Sequence, residues 1–333
     1  MRKNPVLLLL TLSCVLHATG FPEAEITNGL IKAKLYLPDS EKGYYRATRF
    51  DWSGVIASLE YSGHNYFGVW FPKYDPKLHD SITGPVEEFR TGLSALGYED
   101  AKPGGTFIRI GVGVLRKPVE PGFGQFNTYE IVDPGKWTVH STADSVEFVH
   151  EVGDPTSGYA YRYRKTVRLS KDKPQMVIEH TLENTGRRPI VTNVYSHNFY
   201  VIDGQPSGPD VTLKFKFNVK TARDVSGLAV AQGRELHYLR PVKPEGESLF
   251  SELEGYGPTA DDFDIRVENK KAGAGVRLTG DQPLWKLVLW SISTVVCPEP
   301  FIIMNIEPGQ KSLWRLTYDF YSVASTKRST GSE

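Results

Sequence analysis

The chain has 333 residues, 40% hydrophobic and 23% charged, so it can bury a core and is unlike a disordered or collagen-like polymer. Its 39 basic and 39 acidic residues balance and are mixed along the chain, which leaves no footprint for phosphate neutralisation and argues against nucleic acid as a partner. The one long apolar run, Val6 to Leu16, is too short to span a bilayer.

In chain order, residues 1–20 read as a secretory signal peptide: Arg2 and Lys3, then the Leu-rich stretch, then the small-residue triplet Ala18-Thr19-Gly20. Cleavage near Gly20 is expected, and with it a secreted or periplasmic protein. A lipoprotein acylated at Cys14 is the alternative, weakened by Thr11 where such signals prefer a branched apolar residue. Cys14 leaves with the leader, so only Cys297 remains and no internal disulfide can form.

Strands are expected almost everywhere beyond the leader. Ile31–Leu37, Gly54–Tyr61, Thr106–Leu115, Ser145–His150, Tyr159–Leu169, Gln175–Glu183 and Ile190–Ile202 are rich in β-branched and aromatic residues. So are Val211–Val219, Gly275–Leu278, Trp285–Ser291 and Leu313–Tyr321. Turn signals such as Lys102-Pro103-Gly104-Gly105 and Asn184-Thr185-Gly186 separate them. One short helix is expected over Glu87–Leu96, and no longer run carries an apolar stripe at helical spacing. The fold class is therefore all-β, one large antiparallel sandwich over residues 21–321, with a disordered polar tail at 322–333.

Most catalytic signatures are absent: no H-E-x-x-H, no G-x-S-x-G and no Walker loop. Gly111-Val112-Gly113 lacks a third glycine and a following helix, so it reads as a strand end and not a phosphate loop. Two segments do carry chemistry. Asn193, Tyr195, His197 and Phe199 alternate along one strand and share a face that mixes polar tips with aromatic plates, which matches the edges and faces of a sugar. A core histidine satisfied by a backbone carbonyl is the plainer reading of His197. In Cys297-Pro298-Glu299-Pro300, a carboxylate fenced by two prolines in a rigid loop suits a positioned general base, although a Glu in such a loop is commonly just solvated.

Together these segments resemble the aldose 1-epimerase (galactose mutarotase) family. The match runs from Gly54-Val55-Ile56-Ala57-Ser58-Leu59 with Gly63, through Asn184-Thr185-Gly186 leading to His197, to Ala260-Asp261-Asp262-Phe263 and Thr279-Gly280-Asp281-Gln282-Pro283. It ends on Cys297-Pro298-Glu299-Pro300, Pro308-Gly309 and Tyr318-Asp319-Phe320. The resemblance implies a galactose mutarotase-like β-supersandwich that interconverts sugar anomers by acid/base ring opening. His197 would be the acid and Glu299 the base on opposite sides of the ring, with no metal or organic cofactor. Asp262, or Asp261, would hold sugar hydroxyls.

The sequence departs from that pattern at Asp80 to Arg90, where the family has a second histidine. Arg90 is expected to keep an arginine role there, and Glu87 or Glu88 to fill the histidine's space; a solvated helix start is the plainer reading of the two acids. Trp137 is a candidate sugar platform or a core residue. The partner is thus a carbohydrate, monosaccharide or oligosaccharide. A non-catalytic carbohydrate-binding module and another carbohydrate-active enzyme, such as a lyase, remain open on the same fold.

Overall fold

The structure, a computed structural model, describes residues 20–324. The expected signal peptide up to residue 19 and the expected tail from residue 325 onward lie outside the described residues. Among those described there is no α-helix, only two single-turn 3-10 segments at Ile202–Gly204 and Ala260–Asp262. Among the described residues no helix is long and apolar enough to cross a membrane.

Two antiparallel sheets form the body. The larger has ten strands, with Lys311–Ser322, Gln175–Asn184, Tyr159–Leu169 and Ser145–Asp154 adjacent in that order and followed by Lys136–Ser141 at one edge. The smaller has six, running Lys220–Thr221, Leu249–Glu254, Lys286–Ile292, Val295–Ile306, Ile190–His197 and Val86–Arg90. Their facing sides share one apolar core. Phe89, Val194, Leu287, Leu289, Ile302 and Met304 come from the smaller sheet, and Tyr163, Val167, Ile178, Leu182, Trp314 and Leu316 from the larger. Because side chains alternate across a strand, every second residue of the smaller sheet points away from this core.

Local outcomes differ from the sequence expectation in instructive ways. Tyr159–Leu169 is a strand with the expected bounds. Glu87–Leu96 is not a helix: Val86–Arg90 is a strand paired with Ile190–His197, and both of its faces are buried. Thr106–Leu115 divides into two strands, Thr106–Arg109 and Gly113–Arg116, reversed around Gly111. Gly111 has φ of +82°, and a Cβ there would lie 2.7 Å from the Asp51 side chain, so the glycine serves a tight turn against its neighbour. The last strand runs to Ser322, the first residue of the expected tail. Cys297 is buried and forms no disulfide among the described residues.

Pro298-Glu299-Pro300 lies not in a loop but inside the central strand Val295–Ile306. Proline has no N–H for a ladder and is normally confined to edges or bulges. Here the neighbouring strand opens a gap. Pairing with Ile190–His197 ends at Tyr195 opposite Phe301 and resumes only at the Tyr200–Val296 bridge, and Phe199 in between has φ of +41°. The Asn198 side-chain amide fills the gap by donating to the Pro298 carbonyl at 2.6 Å.

Candidate functional site

The outward face of the six-stranded sheet floors a cavity of about 380 Å³, within the range of small-molecule sites. Tyr195 and His197 reach it from one strand, Glu299 and Phe301 from the next, and Val288 and Trp290 from the third. Loop residues Arg49, Asp80, Gln125 and Phe126 wall it, and Arg90 closes one side. Hydrogen-bonding tips and aromatic plates therefore converge in one concave space. Phe301 stacks on Tyr195 with 4.3 Å between ring centroids, and Trp290 stands edge-on to His197 at 5.5 Å.

His197 and Glu299 touch. Nε2 of the imidazole is 3.2 Å from Oε1 of the carboxyl, and both residues are buried. The ring is held by stacking on Phe199 at 3.8 Å and 8°. Its Nδ1 is buried and has no hydrogen-bond partner among the described residues, so no second bond there fixes the tautomer and Nε2 can donate or accept. Burial, reinforced by the Arg49 charge, holds His197 well below its ordinary pKa and keeps it neutral. Burial likewise pushes Glu299 up to about 8, with Arg49 and Arg90 opposing and Glu88 adding to the rise. Near neutral pH the pair is thus a carboxylic acid against a neutral base. The expected flanking of a sugar ring from opposite sides does not hold, because no ring passes between atoms 3.2 Å apart.

A charged cluster backs the cavity. Glu88 is fully buried; one carboxylate oxygen accepts from Arg109 at 2.9 Å, and the other accepts from Arg49 at 2.9 Å, Gln125 at 3.2 Å and the Tyr195 hydroxyl. Burial alone would raise its pKa, but Arg49, Arg109, Arg90 and the Tyr195 hydrogen bond outweigh it and hold Glu88 below the usual carboxylate range. Arg49 also binds Asp80 at 2.7 Å and lies between the rings of Phe50 and Phe126, at 4.3 and 4.9 Å. Tyr195 is thereby oriented from behind.

The remaining sequence candidates scatter. Arg90 lines the cavity, and Asn193 lies opposite it in register, buried on the same face with an unpartnered Oδ1. Glu87 points the other way, into the core, where it pairs with Lys165. Trp137 is on the edge strand of the larger sheet, its ring stacked on His150 at 3.8 Å. Asp262 sits in a 3-10 turn and accepts from the Gly257 N–H at 2.6 Å, outside the cavity. Sequence reasoning missed Arg49, Asp80, Gln125, Phe126 and Trp290. Four of these come from irregular segments with no motif, whereas Trp290 could have been found from its alternation with Val288 in a recognised strand.

The fold and the cavity define a class: an all-β sandwich of galactose mutarotase-like architecture with titratable groups gathered on the outward face of its smaller sheet. No family model matches the sequence, and no curated protein is similar enough to count as a relative. Solved structures do match. An aldose epimerase homologue from C. elegans superposes with a TM-score of 0.55 at 15% identity, covering 90% of this chain and 99% of its own. A galactose mutarotase-like protein from Clostridium acetobutylicum gives 0.52 at 14%, covering 91% and 99%, and one from Lactobacillus casei gives 0.51 at 12%, covering 90% and 100%. At these identities the likeness establishes the fold, which is the one the sequence resemblance implied.

Proposed function

We propose that the protein is an exported aldose 1-epimerase-like enzyme that interconverts sugar anomers. The observation that carries this reading is the contact between His197 and Glu299 on the floor of a polar, aromatic-lined cavity. Mutarotation moves one proton from the anomeric oxygen O1 to the ring oxygen O5, and both oxygens are bonded to C1. An acid and a base side by side can therefore serve both atoms together.

The starting pair is neutral His197 and protonated Glu299. His197 Nε2 takes the O1 proton as the C1–O1 bond becomes a carbonyl; the C1–O5 bond breaks, and O5 takes the Glu299 proton. What remains is an imidazolium in contact with a carboxylate, an ion pair that the 3.2 Å separation stabilises. After C1 rotates, Glu299 takes the proton back from O5 as the ring recloses, and His197 returns its proton to O1. Every proton is restored. The roles are the reverse of those that the family resemblance implied, because burial favours the uncharged form of each group. Trp290 and Phe301 offer apolar faces to the sugar's C–H surfaces.

The test is anomer exchange of freshly dissolved α-aldoses followed by NMR, wild type against His197→Asn and Glu299→Gln. Export is tested separately by the intact mass of protein recovered from the periplasm or medium, which should begin near Phe21; a start at a lipid-modified Cys14 contradicts it.

A further inference from the structure

The two strands that carry His197 and Glu299 are paired on both sides of those residues but not across them. Tyr195 pairs with Phe301 on one side, and on the other Tyr200 exchanges both backbone hydrogen bonds with Val296, at 3.0 and 3.2 Å. One register runs through both pairs, and it sets His197 opposite Glu299, Asn198 opposite Pro298 and Ser196 opposite Pro300. In an antiparallel ladder the doubly bonded pairs recur at every second position. Counted from Tyr200 and Val296, the next two fall at Asn198–Pro298 and Ser196–Pro300, where one strand has proline and no N–H to give. The rungs that flank the proton-transfer pair are thus the impaired ones. Phe199, whose ring stacks on His197, also sits at φ of +41°, a left-handed conformation that a non-glycine residue keeps only where its surroundings hold it.

Asn198 supplies what the ladder lacks. It is wholly buried on the core side of the cavity floor, and its side-chain amide donates to the Pro298 carbonyl at 2.6 Å and to the Ser196 carbonyl at 3.3 Å. One carboxamide therefore ties together the peptide groups immediately before Glu299 and immediately before His197. Its Oδ1 accepts from the Tyr318 hydroxyl at 2.9 Å, and that hydroxyl lies 3.2 Å from Ser196 Oγ. Tyr318, also wholly buried, belongs to Lys311–Ser322 of the larger sheet, so the brace is anchored across the core. In a dry interior the alternative to these bonds is an unmet polar group, which makes the arrangement stiff. We propose that Asn198, fixed by Tyr318, is the positioning residue of the proton-transfer pair and keeps His197 and Glu299 at their 3.2 Å contact. The kinetic consequence rests on the epimerase reading, while the geometric one does not. A misplacement of about 1 Å in a reacting group can slow a reaction ~100-fold, so a weakened brace acts on turnover before it acts on binding.

The experiment compares wild type, Asn198→Ala and Tyr318→Phe in two ways: anomer exchange of freshly dissolved α-glucose and α-galactose over a range of concentrations, and the NMR resonance of the His197 imidazole Nε2. Glu299→Ala, which takes the contact away, is the reference for the resonance. Asn198→Ala should lower kcat about tenfold or more and leave KM within about twofold, because the residues lining the cavity are unchanged. Tyr318→Phe, which removes one hydroxyl, should lower kcat about threefold. In both variants the Nε2 resonance should move toward its position in Glu299→Ala, a shift that lost stability alone does not produce. An unmoved resonance in Tyr318→Phe overturns the proposal even where Asn198→Ala fails to fold. So does a folded Asn198→Ala whose kcat stays within about twofold of wild type, or whose KM rises as much as kcat falls. The two readings fail separately. If wild type exchanges no anomers, the epimerase assignment falls and the resonance still decides the brace; exchange in wild type with resonance and kcat unchanged in both variants removes this proposal alone.

Discussion

Glu87 and Glu88 are neighbours on one strand and serve opposite faces of the six-stranded sheet. Glu88 faces outward and binds Arg49 and Arg109 behind the cavity, while Glu87 faces inward and binds Lys165, which crosses the core from the larger sheet. Lys165 is wholly buried, donates to the Ser53 carbonyl at 2.8 Å and lies 3.5 Å from Asp51. The same strand thus ties the core to the site.

That inner cluster sets the first prediction. Removing the ammonium leaves two buried carboxylates uncompensated, so Lys165→Met should cost about 3–5 kcal/mol in urea unfolding. Adding Glu87→Gln should recover part of the loss, since one of the two orphaned charges goes with it. A loss below about 1 kcal/mol in the single variant would show that the cluster is not charged as its partners indicate.

The second prediction concerns pH and stability. Glu299 binds its proton more tightly folded, up to about 8, than its ordinary 4.5 when unfolded. Between those values the native state holds a proton that the unfolded chain releases, so this group's contribution falls as pH rises from about 4.5 through about 8. Glu299→Gln should flatten that part of the profile and melt higher than wild type at pH 8.5. A Tm difference that does not change between pH 5 and pH 8.5 would contradict it.

Third, residues outside the cavity should leave turnover alone. Asp262→Asn should exchange anomers within about twofold of wild type, because the carboxyl only caps a turn at Gly257. Trp137→Ala should cost about 1 kcal/mol or more from its lost stack on His150 without slowing exchange. A large rise in the Michaelis constant for Asp262→Asn would return that residue to the site.

What could be read from the sequence was what is local. Alternation along Tyr159–Leu169 and Gln175–Glu183 marked the sheet, and the alternate positions Tyr195 and His197 marked a shared face. Val86–Arg90 was misread because two adjacent acids suggest a solvated helix start, and the groups that allow their burial, Arg49, Arg109 and Lys165, are distant in sequence. The strand through Pro298 and Pro300 was missed because its prolines are tolerated only where the neighbouring strand turns away at Phe199. The contact of His197 with Glu299 follows from both, since it depends on register between two strands about a hundred residues apart.

Fourth, pH should act on turnover as it does on the pair. The reactive form holds one proton on Glu299 with His197 neutral, so kcat/KM should fall as pH rises through about 8 and fall again at low pH as His197 is charged. A rate that climbs to a plateau above pH 8 would assign the ionised Glu299 as the working base instead.

The central claim is that His197 and Glu299 work as one proton-transfer unit. Anomer exchange measured by NMR in wild type, His197→Asn, Glu299→Gln and the double variant tests it most directly. Each single change should lower the turnover number by ~100-fold or more, and the double should lose little beyond either single, because a lone acid or base has no partner to complete the relay. Equal exchange rates in all four proteins would contradict the account and leave the cavity as a binding site without this chemistry.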